Sequence, residues 1–103
     1  MELKPIRADM DERDLARFLL NLSMKLTEVM SLCWAGWSVT APRVHAARAI
    51  NSMQHDIAAL VLQAVSGEEK PSLEELEGKI RKTAEDFPKL AADLTSAWNE
   101  SQS

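Results

Sequence analysis

Cysteine, histidine, glycine and proline are all scarce in this chain of 103 residues. The single cysteine, Cys33, excludes a disulfide framework and a cysteine-based zinc site within one chain. Two histidines are too few for a metal site built mainly from imidazole, so we expect no bound metal and no cofactor. Three glycines and four prolines are too few for an all-β fold with many turns.

Long apolar runs and a surplus of positive charge are also missing. No uncharged apolar stretch reaches the roughly 20 residues that cross a bilayer, and residues 1–7 lack the apolar segment of a secretory signal. We therefore expect a cytoplasmic protein with no membrane partner. Twelve Lys and Arg stand against sixteen Asp and Glu, a net charge of -4, and this acidity argues against a nucleic-acid partner. The 46% of hydrophobic residues is enough to build a core.

Apolar residues recur at alternating steps of three and four in three segments, which is the pattern of amphipathic helices in a bundle. We predict an all-α fold: a single domain, 1–103, with three long antiparallel helices that pairs into a homodimer. The predicted parts are an arm at 1–8, helices at 9–37, 41–66 and 72–98, and a frayed tail at 99–103.

Local signals mark the ends of the first two helices. Asp9 or Asp11 can cap the free N–H groups at the start of the first helix. Pro42 is tolerated in the first turn of the second helix, where its missing N–H costs nothing. Gly67 can adopt the left-handed conformation that ends the second helix.

The third helix carries a predicted cap, a predicted kink and a charged outer side. Ser72 and Glu75 have the spacing of a capping box. Pro88 lacks an N–H and clashes with the preceding turn, so we expect a kink or break near Asp86, and we describe the third helix as kinked at Pro88. Opposite charges four residues apart predict three ion pairs: Glu75–Lys79, Glu77–Arg81 and Glu85–Lys89.

The first helix has more apolar residues than a single face can hold. Leu20, Met24 and Trp34 fall outside its main face, and Leu62 falls outside the main stripe of the second helix. One interpretation is a central helix covered from both sides, with scattered apolar residues on the surface. The interpretation that we favour for these side chains is a contact with a second subunit or another protein, because small domains with long heptad helices commonly hide an extra stripe by pairing.

Aromatic and basic residues cluster where the first two helices meet, in a span from Glu28 to Asp56 without any other acidic residue. Trp and Arg are the residues most enriched at the energetic centres of protein interfaces. We predict a partner-binding site of seven residues: Leu20, Met24, Trp34, Trp37, Arg43, Arg48 and Leu62. The alternative, favoured for Trp37, is that it closes the end of the bundle while the arginines are simply solvated. If Trp34 binds the partner, Trp34→Ala weakens association with little loss of helicity.

Motifs of catalysis are missing, so we predict that the protein is not an enzyme. The sequence has no Gly-rich phosphate loop, no nucleophile elbow and no His-Glu-x-x-His. One enzyme class stays as an alternative, because the size and long first helix are similar to those of small all-α chorismate mutases. In that family a pocket of basic residues holds a dicarboxylate, a role that the resemblance would give to Arg13, Arg17, Arg48 and Lys79.

The predicted function is non-catalytic: the protein binds another protein, such as a transcription factor, and sequesters or inhibits it. In size and helix plan the chain is similar to the quorum-sensing antiactivators and the type III secretion chaperones of bacteria. This likeness lies in the architecture alone. An antiactivator-like regulator is the interpretation that we favour, and a chaperone or immunity-type binder of a secreted or toxic client is the alternative.

Overall fold

The computed structural model describes residues 2–34, 41–67 and 70–102, and describes side chains over 2–31, 44–67 and 70–102. The described residues form four helices and no strand, which confirms the all-α class. The helices are α1, Glu12–Trp34; α2, Ala41–Ser66; α3, Glu74–Asp86; and α4, Pro88–Ser101. The sequence predicted three long helices, and the structure has four because the third is divided in two.

The start of α1 is fixed by Asp11, one of the two predicted caps. Asp11 Oδ1 accepts a 2.8 Å hydrogen bond from the backbone N–H of Asp14, and the Asp11 carbonyl accepts the first helical bond, 2.9 Å from the N–H of Leu15. The helix therefore begins at Glu12 rather than at residue 9. Its predicted end at residue 37 lies outside the described residues.

The second helix has the bounds that the sequence predicts, from Ala41 to Ser66. Gly67 follows it with φ of +72°, the left-handed conformation that a residue with a Cβ rarely adopts. The chain can therefore leave the helix axis immediately after Ser66, which allows α3 to return along the bundle.

A break at Phe87 separates α3 from α4, so of the expected kink or break near Asp86 the break is what forms, and the single kinked helix is not found. Phe87 has φ of -128° and ψ of 77°, and its N–H closes α3 by donating to the Thr83 carbonyl at 2.8 Å. Pro88 is the first residue of α4. A first-turn position needs no N–H donor, and so the proline starts a new helix instead of bending an existing one.

The prediction of a capping box at the start of α3 is also wrong. The cap position belongs to Leu73, which is buried and makes no side-chain capping bond. Ser72 lies one residue further out and is exposed. Burial of the leucine therefore decides where the helix starts, and the serine hydroxyl is left outside the first turn. Of the predicted ion pairs on the outer side of α3, Glu77–Arg81 forms at 2.7 Å. Lys79 pairs with Asp56 on α2 instead of with Glu75.

The C-terminal segment is held in place, contrary to the predicted frayed tail. Helix α4 continues to Ser101, which is buried. The N-terminal arm lies against it: the N–H of Lys4 donates to Asn99 Oδ1 at 2.7 Å, and the Lys4 carbonyl accepts bonds from Trp98 Nε1 at 2.7 Å and Gln102 Nε2 at 2.9 Å. The arm is therefore a structural part of the bundle.

The four helices pack in a ring in which α1 contacts α2 and α4, and α3 contacts the same two helices from the opposite corner. The main face of α1 is covered on both sides, which accounts for the width of its apolar stripe. Trp98 lies edge-on to Phe18, with ring centroids 5.1 Å apart and planes at 86°. The other large, fully buried side chains are Leu15, Leu19, Leu22, Leu26, Ile50, Met53, Ile57, Leu76, Ile80 and Leu94.

Candidate protein-docking surface

The first two helices form an antiparallel hairpin whose outer surface carries the candidate site. The Gln54 side-chain amide donates to the Ser23 carbonyl at 3.1 Å and to Thr27 Oγ1 at 2.8 Å, which places the middle of α2 beside the middle of α1. A parallel arrangement with this contact would leave a gap of about 33 Å between the end of α1 and the start of α2. The six residues between them reach only about 24 Å, and so the helices run in opposite directions.

Four large apolar side chains are exposed on this hairpin: Leu20 at 55%, Met24 at 68%, Leu62 at 68% and Val65 at 65% of their full accessible surface. We call these four residues the hairpin patch. The sequence predicted three of them as partner-binding residues and missed Val65. Its signal was available, because Val65 lies three residues after Leu62 and therefore on a neighbouring part of the same helix surface. The other described large apolar side chains are buried or half-buried.

The hairpin patch has two residues on α1 and two on α2, and both sets border the seam between these helices. On α1, Leu20 adjoins Thr27 and Ser23, the two residues that bind Gln54. On α2, Val65 lies eleven residues, or three turns, after Gln54 and so on the same flank. Leu20 and Leu62 lie on the same side of the Gln54 contact. Their distances from this contact along the bundle axis differ by only about 5 Å. The patch is therefore one surface rather than four isolated residues.

The charged end of the predicted site is described only in part. Arg48 is exposed on α2, as are His45 and His55. Trp34 is the last residue of α1 and Arg43 lies in the first turn of α2, but the side chains of both lie outside the described residues. Trp37 lies outside them altogether. The structure thus supports the exposure of Leu20, Met24, Arg48 and Leu62 and leaves the aromatic part of the site a prediction.

The basic residues proposed for a dicarboxylate pocket do not converge within one chain. Lys79 Nζ binds Asp56 Oδ2 and lies 3.3 Å from Ser52 Oγ, in the contact between α2 and α3. Arg13 and Arg17 are exposed on α1, which occupies the opposite corner of the ring from α3. The bundle core therefore stands between Lys79 and the two arginines.

A groove of about 350 Å³ lies between the N-terminal arm, the start of α1 and α3. Leu3, Ile6 and Leu73 line its apolar part, and Glu77 and Arg81 at its edge are paired with each other at 2.7 Å. Lys70 and Glu74 also line the groove, which therefore combines apolar side chains with charged ones.

Over the described parts of the chain, no three metal-binding side chains lie close enough together to hold an ion, and none of the helices there is both long and apolar enough to cross a membrane. Comparison of the chain with protein-family models, curated proteins and solved structures finds no match. The inference about function therefore depends on the surface of the hairpin itself.

Proposed function

We propose that this protein is a non-catalytic regulator that docks on another folded protein through the hairpin patch and thereby sequesters or inhibits it, as an antiactivator does to a transcription factor. The proposal places the regulator in the cytoplasm and gives it no cofactor. The observation that carries it is the confinement of the described exposed large apolar residues, Leu20, Met24, Leu62 and Val65, to one hairpin. Scattered surface apolar residues would be distributed over all four helices.

Charge on α2 agrees with a protein partner. Arg48, His55 and Leu62 follow one another at steps of seven and therefore lie along one side of α2. This side offers a cation at one end and apolar side chains at the other, which suits a partner surface with an acidic rim around an apolar centre. A single arginine there is too few phosphate contacts for nucleic-acid binding.

The test is a comparison of the wild type with the double variant Leu62→Ser/Val65→Ser. We expect co-purification from the native host to recover one folded protein with the wild type and to lose it with the double variant. The recovered protein, once purified, should then bind the wild type in a fixed stoichiometry by calorimetry. Gln63→Ser is the matched control, since Gln63 is exposed in the same turn but points to another side of α2.

Two outcomes would contradict the proposal. Binding of an extended segment from an otherwise unfolded client would favour a secretion or toxin-client chaperone instead. Equal binding by the wild type and the double variant, with both folded by circular dichroism, would show that the hairpin patch is not the docking surface. A chorismate turnover assay on the same sample tests the enzyme alternative, because a non-catalytic regulator gives no turnover.

A further inference from the structure

The exposed side of α1 carries an ordered sequence of charges around its apolar residues. Going along the helix, Arg13 and Arg17 come first, Leu20 and Met24 follow, and Glu28 comes last. Steps of four, three, four and four keep these residues on one side of the helix, and all five are exposed. We call them the α1 stripe; it is basic at one end, apolar in the middle and acidic at the other end.

The two inner charges of the stripe cannot satisfy each other within one chain. Arg17 and Glu28 are eleven residues apart, which is about 16 Å along the helix. Among the described residues, neither makes an ion pair, whereas five other ion pairs are formed. Each charge is therefore available to a group on another molecule.

We propose that the α1 stripe is covered by a second copy of this chain, through an antiparallel contact of the two α1 helices about a two-fold axis. An axis midway between Leu20 and Met24 brings Leu20 of each copy level with Met24 of the other. Arg17 lies five residues before this axis and Glu28 six residues after it. Arg17 of each copy therefore comes within about 1.5 Å in level of Glu28 of the other, and two symmetric ion pairs flank the apolar centre.

The charge order selects this partner and this direction. A parallel contact would place Arg17 against Arg17 and Glu28 against Glu28, and facing like charges oppose association. An unrelated partner would need a stripe of the reverse order, whereas a second copy provides one by symmetry. This inference goes beyond the proposed function and does not require it. Leu20 and Met24 are covered in the dimer, so the inference narrows the part of the hairpin patch that docks on the regulated protein to Leu62 and Val65 on α2.

The test is sedimentation velocity over a range of concentrations with the full chain. We expect the wild type to form dimers. Arg17→Glu and Glu28→Arg should each weaken dimerisation on the order of tenfold or more, because each places two pairs of like charges in the contact. The double variant Arg17→Glu/Glu28→Arg should dimerise like the wild type, since it restores both pairs with reversed polarity.

Mixing the two single variants gives the sharpest result. In a mixed dimer, the acidic group introduced at position 17 faces the basic group introduced at position 28, and the native Arg17 faces the native Glu28. Native mass spectrometry of the mixture should therefore show mixed dimers in excess of either self-paired dimer. Glu75→Arg is the control variant, and it should dimerise like the wild type because Glu75 is exposed on α3, which does not contact α1.

Three results would overturn the inference. A wild type that stays monomeric at all concentrations would assign the α1 stripe to a different partner. Single variants that dimerise as well as the wild type would place the dimer contact elsewhere, as would a mixture with no preference for mixed dimers. The substituted residues are exposed, so the helical circular-dichroism signal well below the melting transition should be unchanged, which separates these results from a loss of folding. Loss of partner binding by Leu62→Ser/Val65→Ser is measured independently of all of them.

Discussion

The indole Nε1 of Trp98 donates a 2.7 Å hydrogen bond to the backbone carbonyl of Lys4, which ties the end of α4 to the N-terminal arm. Trp98 is fully buried and also packs edge-on against Phe18. We expect Trp98→Phe to cost about 1–2 kcal/mol of unfolding free energy, because Gln102 Nε2 still donates to the same carbonyl. Trp98→Ala should cost about 3–5 kcal/mol, because it also leaves a cavity. Urea denaturation measures both, and equal losses would show that the hydrogen bond and the ring volume are not separate contributions.

Two exposed glycines should respond to alanine with opposite signs. Nothing lies within 4 Å of a Cβ built at Gly67 or at Gly78, so neither substitution causes a clash. Gly67 has φ of +72°, and Gly67→Ala should therefore cost about 1 kcal/mol in backbone strain. Gly78 lies inside α3, where Gly78→Ala should stabilise the protein by about 0.5–1 kcal/mol. Thermal melts of the two variants check the prediction, and a shift in the same direction for both would contradict it.

The ion pair between Lys79 and Asp56 should contribute little to stability, although it joins α2 to α3. Its side chains are 37% and 36% exposed, so water screens the attraction between the charges. A double-mutant cycle with Lys79→Met and Asp56→Asn should give a coupling energy below about 1 kcal/mol, and the coupling should fall as salt is added. A coupling that does not change with salt would indicate that the pair is shielded from water in solution.

The cap of α1 should be worth more than this ion pair. Asp11→Ala removes the acceptor of the 2.8 Å bond from the Asp14 N–H, and we expect a loss of about 1 kcal/mol in unfolding free energy. Asp11→Asn keeps an acceptor oxygen and should retain most of that stability. Chemical denaturation of the pair of variants makes the comparison, and an equal loss in both would implicate the negative charge rather than the hydrogen bond.

Much of the fold is predictable from the sequence because it depends on local periodicity. The stripe of Leu15, Leu19, Leu22, Leu26 and Val29 repeats at helical spacing, and all five residues are buried. The cap at Asp11 and the left-handed Gly67 also follow from local chemistry. Each of these features depends only on residues that are close together in the sequence, and so the sequence alone is enough to predict it.

The unpredicted features of the fold depend on contacts between residues that are distant in the sequence. Trp98 and Leu3 belong to the core, but no repeat links the arm to α4. The sequence located a kink or break near Asp86 but did not decide between them, because it does not show whether α4 will pack on α1 or continue along α3. Lys79 binds Asp56 rather than Glu75 for the same reason, since the partner on α2 comes within reach only after packing.

The candidate site also has a part that the sequence predicted and a part that it missed. Exposure of Leu20, Met24 and Leu62 was predicted from their departure from the main apolar stripe of each helix. Val65 was missed because it lies at the edge of the main stripe on α2, and its spacing of three residues from Leu62 was the one sequence signal of its exposure.

The position of the arm has a consequence for how the molecule assembles and comes apart. Lys4 and Trp98 are separated by 94 positions, so their bond closes nearly the whole polypeptide into one loop. Closure of so long a loop has a large entropic cost, which the earlier collapse of the helices reduces by bringing its ends together. We therefore expect the arm to dock late in folding and to be released before the four helices separate, which would expose Leu3 and the indole of Trp98 to solvent exchange.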